Sequence, residues 1–138
     1  MTMEGSLGPI LLAEADSVFG DLAGAYLTSR GYRVVRVRDG RRALEALGLE
    51  RFHAIVAGLE LAGLDGLELA SCALLSPVPP PVVLTTRDPG MEHANLDAAG
   101  VKAVVTRPCR LSVLVAVIED VTRAEEEPRA TAALAAHG

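Results

Sequence analysis

Residues 52–69 read FHAIVAGLELAGLDGLEL, a short apolar run followed by a glycine-containing loop and a second apolar pattern. The run at 54–57 has no polar residue, which is typical of a strand that is buried on both faces of a sheet. The loop from Gly58 to Gly66 follows it, and the spacing of apolar residues over 67–74 then predicts a helix. A buried strand that leads through a loop into a helix is the repeating unit of parallel sheets.

The same unit recurs along the chain. Strands are predicted at 9–13, 32–37, 54–57, 82–85 and 103–106. Helices are predicted from a cap at Asp16 or Ser17 to Gly31, over 41–49, 67–74 and 91–99, and from 111 to about 121. This alternation predicts an α/β fold, a doubly wound parallel (βα)5 sheet in the flavodoxin-like strand order 2-1-3-4-5. Ligands of such sheets bind at the carboxyl ends of the strands.

The chain has 138 residues, which is the usual length of one domain. We expect this domain to span 9–122, after a flexible N-terminus at 1–8. Residues 123–138 are rich in Ala and Glu and lack a clear apolar face. Two interpretations stay open for them, a helical extension or a disordered tail.

The composition argues against several classes of function. Aromatic residues make up 3% of the chain and the net charge is −5, which argues against a nucleic-acid partner. No apolar run approaches the ~20 residues of a membrane span and no signal sequence opens the chain, so no membrane partner is expected. Cys72 and Cys109 form no metal or redox motif, which predicts reduced thiols and a cytoplasmic protein. His53 and His93 have no second ligand at metal spacing, so no metal site is expected at either.

The predicted second strand lies in a basic segment. Its arginines are Arg30, Arg33, Arg36, Arg38, Arg41 and Arg42, and Asp39 is the one acid among them. Charges on an edge strand discourage pairing with other chains. We favour this interpretation over the docking of an acidic partner.

Four parts of the chain, taken together and in order, resemble the receiver domain of bacterial two-component response regulators. They are Ile10-Leu-Leu-Ala-Glu-Ala-Asp16, Val37-Arg-Asp-Gly-Arg-Arg-Ala-Leu44, residues 52–69 with Gly63-Leu-Asp-Gly-Leu-Glu68, and the pair Val83-Leu-Thr85 and Thr106-Arg-Pro108. The resemblance covers roughly residues 9–122 and implies a CheY-like fold. It also implies a site in which an aspartate at the end of strand three accepts a phosphoryl group. In that family Mg²⁺ binds beside this aspartate, and a lysine and a Ser or Thr contact the phosphoryl oxygens.

The chain departs from this pattern at most of the implied positions. The acceptor position falls on Gly58, the acidic pair is Glu14 followed by Ala15, and the lysine position holds Arg107. Thr85 matches the hydroxyl residue of strand four. An aspartyl phosphate cannot form without an acceptor carboxylate, and Mg²⁺ usually needs one or two carboxylates. The resemblance therefore implies a degenerate receiver with no cofactor and with weak or absent Mg²⁺ binding.

The remaining polar residues of this degenerate pocket allow two interpretations. Glu14, Thr85 and Arg107 are expected to meet at the strand ends, where they could bind an anion or a small ligand. Alternatively, Arg107 pairs with Glu14 in a bidentate manner and closes the site, which is the interpretation we favour. We expect Asp16 to cap the first helix and the side chain of Glu60 to point away from the site. The resemblance also implies a cis bond between Arg107 and Pro108.

The last predicted helix has more apolar residues than one buried stripe requires. Its inward positions are Leu111, Leu114, Val115, Ile118 and Val121. Val113, Ala116 and Val117 remain on the other side, and Val104 of strand five occupies the position where the family usually carries an aromatic residue. We therefore predict a protein interface at Val104, Val113, Ala116 and Val117, which could also serve a homodimer.

These observations lead to a function in signal transduction through protein–protein contact that does not depend on phosphorylation. The alternative function is a small-molecule or anion sensor that uses the altered pocket. An enzyme is not expected, since no nucleophile–base pair and no glycine-rich phosphate loop is present in the sequence.

Overall fold

The computed structural model describes residues 7–93 and 96–137, with side chains to Glu125 except at 92, 93 and 97. Most of the N-terminus at 1–8, for which flexibility is predicted, lies outside the described residues. The strands are β1 Pro9–Ala13, β2 Arg33–Val37, β3 Ala54–Gly58, β4 Val82–Thr86 and β5 Val101–Thr106. The α-helices are α1 Ser17–Ser29, α2 Gly40–Leu49, α3 Gly66–Ala73 and α4 Leu111–His137. All neighbouring strands are parallel and their order is β2-β1-β3-β4-β5, which confirms the predicted fold.

Two apolar layers cover the sheet, one on each face. Alternate residues of the central strands point to opposite faces, so that Ile10 and Leu12 pack with α1 and α4, whereas Leu11 and Ile55 pack with α2 and α3. All four of these side chains are 0% exposed. Because the central strands are buried on both faces, their polar side chains are confined to the strand ends.

Aspartates cap the N-termini of the helices that follow β1, β2 and β3. The carboxylates of Asp16, Asp39 and Asp65 accept hydrogen bonds from backbone N–H groups in the first turns of α1, α2 and α3, at 3.0, 2.8 and 2.8 Å. The predicted cap at Asp16 is therefore confirmed. These caps hold the turns after β1 and β2 and the loop after β3 in place at the carboxyl edge of the sheet.

The fourth crossover differs from the prediction. The helix predicted over 91–99 is wrong, because the structure has two 3-10 helices instead, Pro89–His93 and Asp97–Ala99. Both are held by bonds to the third residue back, from Met91 N to Asp88 O (3.2 Å) and from Ala99 N to Leu96 O (3.1 Å). The Asp88 carboxylate also accepts a bond from Gly90 N at 2.9 Å, which fixes the segment in a tight turn at its start.

The last helix is longer than its apolar stripe predicts. It runs without a break from Leu111 to His137, so the Ala- and Glu-rich segment continues it. In the described part of the chain, no helix is both long enough and apolar enough to cross a membrane.

The arginines of the basic segment pair largely with groups of the same chain. Arg33 forms an ion pair with Glu50, and the Arg36 guanidinium lies 2.7 Å from the Asp21 carboxylate. Arg38 donates a hydrogen bond to the Ser17 hydroxyl at 2.8 Å. Since β2 lies at the edge of the sheet, these contacts support the interpretation that the arginines protect that edge.

Candidate functional site

The residues predicted to meet at the strand ends do come together there. Glu14 follows β1, Gly58 ends β3, Thr85 lies in β4 beside Gly58, and Arg107 follows β5. The polar side chains are almost fully buried, with exposed fractions of 2% for Glu14, 0% for Thr85 and 8% for Arg107. Ala15 is exposed to solvent and contributes no polar group to the cluster.

The Glu14 carboxylate lies at the centre of the cluster. Its Oε1 accepts a hydrogen bond from Thr85 Oγ1 at 3.1 Å, and its Oε2 accepts one from the backbone N–H of Asp16 at 3.1 Å. A buried carboxylate requires such donors, because burial without them has a large free-energy penalty. Each oxygen of Glu14 is thus held by a group from a different part of the sheet edge.

The same carboxylate fills the space beside Gly58. A Cβ atom on residue 58 would lie 2.8 Å from Glu14 Oε2 and 3.0 Å from Glu14 Oε1, closer than ordinary van der Waals contact. Residue 58 is a glycine, and the Glu14 carboxylate occupies the volume that a side chain at this position would need.

The Arg107 guanidinium lies among three carboxylates from three positions. Nε is 3.8 Å from Glu14 Oε1, Nη1 is 3.4 Å from Asp16 Oδ2, and Nη2 is 3.5 Å from Glu60 Oε2. Its Cζ also lies 5.2 Å from the centre of the Phe19 ring, within the range of a cation–π contact. The predicted pairing of Arg107 with Glu14 is present, but it is not bidentate, because the guanidinium is shared with two other acids.

Asp16, Glu60 and Arg87 also belong to the site, and the sequence did not indicate the roles of Glu60 and Arg87. The prediction that the Glu60 side chain points away is wrong, since Glu60 Oε1 also accepts a hydrogen bond from Thr86 Oγ1 at 3.3 Å. Arg87 Nη2 lies 2.8 Å from Asp16 Oδ2. Asp16 thus both caps α1 and pairs with two arginines. The one available signal was the position of Glu60, two residues after the end of β3, and of Arg87, directly after the end of β4.

The surroundings of Asp16 favour its charged form. The hydrogen bond from the backbone N–H of Phe19 holds the pKa of this carboxyl below its ordinary value of 3.8. Partial desolvation acts in the opposite direction, and the cations of Arg87 and Arg107 add to the lowering. Asp16 is therefore an anion throughout the neutral range.

The four predicted interface residues do not share one face. Val113 is 46% exposed and Ala116 is also exposed, both on α4. Val117 is half-buried against the layer formed by α1 and α4, whereas Val104 is half-buried on the opposite face of the sheet, with α2 and α3. β5 is an edge strand of the sheet, and α4 packs beside it.

Comparison with known proteins decides the family. The model of the response regulator receiver domain matches residues 10–119. The chain belongs to this family. It is a receiver domain of the kind used in two-component signal transduction, and its CheY-like fold agrees with the cluster at the carboxyl edge of the sheet.

The relatives of this receiver include longer regulators and single receiver domains. The chain is 29% identical over 112 residues to transcriptional regulatory protein GlrR of Escherichia coli K12, covering 80% of this chain and 25% of GlrR. It is 34% identical over 111 residues to response regulator MprA of Mycolicibacterium vanbaalenii, covering 78% of this chain and 47% of MprA. The chain thus spans from a quarter to about half the length of these curated relatives.

A solved structure with this fold is the signal receiver domain of a signal transduction histidine kinase from Syntrophus aciditrophicus. It has a TM-score of 0.72 and 26% identity, over 85% of this chain and 91% of the other. The fold of this receiver therefore has a counterpart in a solved structure.

The residues of this receiver do not fit the Mg²⁺ that the family implies. Mg²⁺ requires oxygen ligands at about 2.1 Å in octahedral geometry, but positions 15 and 58 offer no side-chain oxygen and Glu14 is held by Thr85 and the Asp16 amide. The Arg107 guanidinium moreover lies against the acids that remain. Within residues 7–93 and 96–137, no group of three His, Cys, Asp or Glu side chains is placed to hold a metal ion.

Proposed function

We propose that this receiver acts through protein–protein contact without being phosphorylated. The observation that carries the proposal is the Glu14 carboxylate, which fills the space that a side chain at position 58 would need. The acceptor group is therefore missing, and the Glu14 carboxylate would have to move to make room for one. The signal that the receiver transmits would then depend on its amount, its location or its bound partner.

The other carboxylates of the site are poor acceptors of a phosphoryl group. Glu14 is buried and hydrogen-bonded through both oxygens. Asp16 caps α1 and pairs with Arg87. Glu60 has a side chain that is 58% exposed, but one oxygen faces Arg107 and the other accepts from Thr86. Attack on a phosphoryl donor would require any of these anions to give up its present partners.

The first experiment measures phosphorylation directly. The wild-type chain is incubated with Mg²⁺ and acetyl phosphate, and its intact mass is followed. We expect no phosphorylated species. The matched variant Ala15→Asp, Gly58→Asp, Arg107→Lys restores the acidic pair, the acceptor and the lysine, and we expect it to be phosphorylated under the same conditions. Phosphorylation of the wild-type chain would contradict the proposal, and loss of that product in Glu60→Gln would identify a surrogate acceptor.

We expect a protein partner to bind the exposed side of α4 together with β5. Val113 is the most informative position, because it is apolar and 46% exposed. A second copy of the chain is the partner to test first, by sedimentation over a range of concentrations. We expect a dimer that Val113→Asp dissociates, while Val18→Asp on α1, where Val18 is 71% exposed, leaves it intact. A wild-type chain that stays monomeric would rule out the homodimer and direct the search to other proteins.

A second candidate function is the sensing of a small molecule, which is favoured by a cleft beside Arg107. This cleft has a volume of about 540 Å³ and lies between α1 and the residues after β5. Its mainly apolar lining includes Val18, Phe19 and Leu22, so an apolar ligand suits it better than an anion, which would face the neighbouring carboxylates. If this receiver is a sensor, Arg107→Ala should abolish binding of the small molecule. If it acts through protein–protein contact, the same variant should still bind its protein partner.

A further inference from the structure

One guanidinium connects three separate parts of the carboxyl edge of the sheet. Glu14 belongs to the end of β1, Asp16 caps α1, and Glu60 lies in the loop between β3 and α3. Each nitrogen of Arg107 faces a different one of these acids, at 3.4 to 3.8 Å. Arg107 is thus the common cationic neighbour of three anions that come from different segments.

Arg107 is a buried cation whose charge is balanced by the three carboxylates around it. Its side chain is 7% exposed, and its Nε is buried and has no hydrogen-bond partner in the described residues. The side chain is therefore held by the surrounding negative charge, by the Phe19 ring and by a long hydrogen bond from Nη1 to Asp16 Oδ2 at 3.4 Å. Conversely, Glu14 is 2% exposed, and without Arg107 its charge would lose its nearest buried cation.

We propose that the Arg107 guanidinium is the resident cation of this pocket, and that it fills the role that a bound divalent ion would otherwise have. It holds the segments of Glu14, Asp16 and Glu60 together, so the receiver needs no metal ion to order this edge. The proposal goes beyond the function proposed above, since it applies whichever partner the receiver binds. It also accounts for the way the acids surround a planar group instead of converging on one point.

Removing the charge of Arg107 changes what the pocket can bind. A neutral side chain at position 107 leaves three carboxylates that repel each other and have no shared cation. A divalent ion can bridge such carboxylates, because oxygen anions are the ligands that Mg²⁺ and Mn²⁺ prefer. We therefore expect a divalent cation to draw these carboxylates together when Arg107 is lost, although the described side chains are not placed to hold such an ion in the wild type.

The test compares thermal unfolding of wild type, Arg107→Gln and Arg107→Met in EDTA and in increasing MgCl₂ or MnCl₂. We expect the wild-type midpoint to be independent of the ion. Both Arg107 variants should unfold at a lower temperature in EDTA and regain stability saturably as the ion is added, with Mn²⁺ affinity about tenfold or more above that of wild type. Arg110→Gln is the matched control, because it removes the same charge from an exposed position nearby and should give no saturable response.

The site of the ion is checked by its paramagnetic effect. Mn²⁺ should broaden the amide signals around Glu14, Asp16 and Glu60 in the Arg107 variants, and adding Asp16→Asn should weaken this effect. Saturable broadening of the same signals in wild type would overturn the proposal, even if no Arg107 variant folds. Folded Arg107 variants that gain no ion binding would also overturn it. Neither of these results depends on phosphorylation, which is measured separately by intact mass. Failure of this proposal can therefore be distinguished from failure of the proposed function.

Discussion

Replacing Gly58 by Ala tests the packing of the Glu14 carboxylate against the position where the resemblance places the acceptor. The added Cβ would lie 2.8 Å from Glu14 Oε2 and 3.0 Å from Oε1, so the carboxylate must move away. It cannot move freely, because Thr85 Oγ1 and the Asp16 amide hold its two oxygens. Overpacking of this kind has a penalty of about 1–3 kcal/mol. Alanine regains about 0.5–1 kcal/mol relative to glycine inside a strand, and Gly58 has no positive φ.

We therefore expect Gly58→Ala to lower the free energy of unfolding by about 1 kcal/mol, within limits of about 0 and 2.5 kcal/mol. At about 4 °C per kcal/mol for a chain of this size, the melting midpoint should fall by roughly 4 °C, and by no more than about 10 °C. The assay is urea unfolding followed by circular dichroism, combined with a double-mutant cycle.

The cycle uses two substitutions of Glu14 that differ in size. In the Glu14→Gln background the side chain keeps its length, so Gly58→Ala should remain destabilising. In the Glu14→Ala background the space is open, and the same change should stabilise by about 0.5–1 kcal/mol. An equal effect of Gly58→Ala in both backgrounds would refute the conclusion that the Glu14 side chain fills the acceptor space.

Two further predictions concern the edges of the site. Since the pKa of Asp16 is lowered in the folded state, its charge contributes stability that is complete above about pH 4 and is lost as the pH falls through the folded pKa. Wild type should therefore be more stable than Asp16→Asn at neutral pH, and the difference should close in acid; a constant difference in urea unfolding would contradict this. Gly66→Ala would bring a Cβ atom to 2.4 Å from the Gly58 carbonyl oxygen, a backbone atom, and should destabilise by about 3 kcal/mol or more. In Gly48→Ala, where no atom lies within 4 Å, we expect a gain of about 0.5–1 kcal/mol. A similar loss in both glycine variants would show that the close contact is not the cause.

The sequence predicts the parallel sheet and the position of the site at the carboxyl edge of that sheet. Uninterrupted apolar runs such as 54–57 mark strands that are buried on both faces, and polar residues can follow only where such strands end. Glu14, Thr85 and Arg107 all lie at or directly after a strand end. Parallel strands bring these ends to one edge, which agrees with the meeting of the three residues that the resemblance to receiver domains implies.

The details of the cluster depended on three-dimensional contacts that periodicity does not encode. The direction of the Glu60 side chain is set by Thr86 and Arg107, which lie 26 and 47 positions further along the chain. The sequence predicts that the Arg107 guanidinium pairs with one carboxylate, that of Glu14. In the folded structure, carboxylate oxygens of Asp16 and Glu60 also lie within 4 Å of it. The segment 91–99 was predicted as a helix because apolar spacing does not reveal the turn that the Asp88 carboxylate stabilises at its start.

We propose that the pocket at the position of the family's phosphorylation site is closed in this receiver. The most direct test is an amide NMR fingerprint of the wild-type chain, titrated with Mg²⁺ and beryllofluoride, which together imitate a phosphoryl group on an acceptor carboxylate. We predict no saturable shifts at the strand ends around Glu14, Thr85 and Arg107. Saturable shifts of these signals would contradict the claim, because they would show that the pocket still captures the metal ion and the anion.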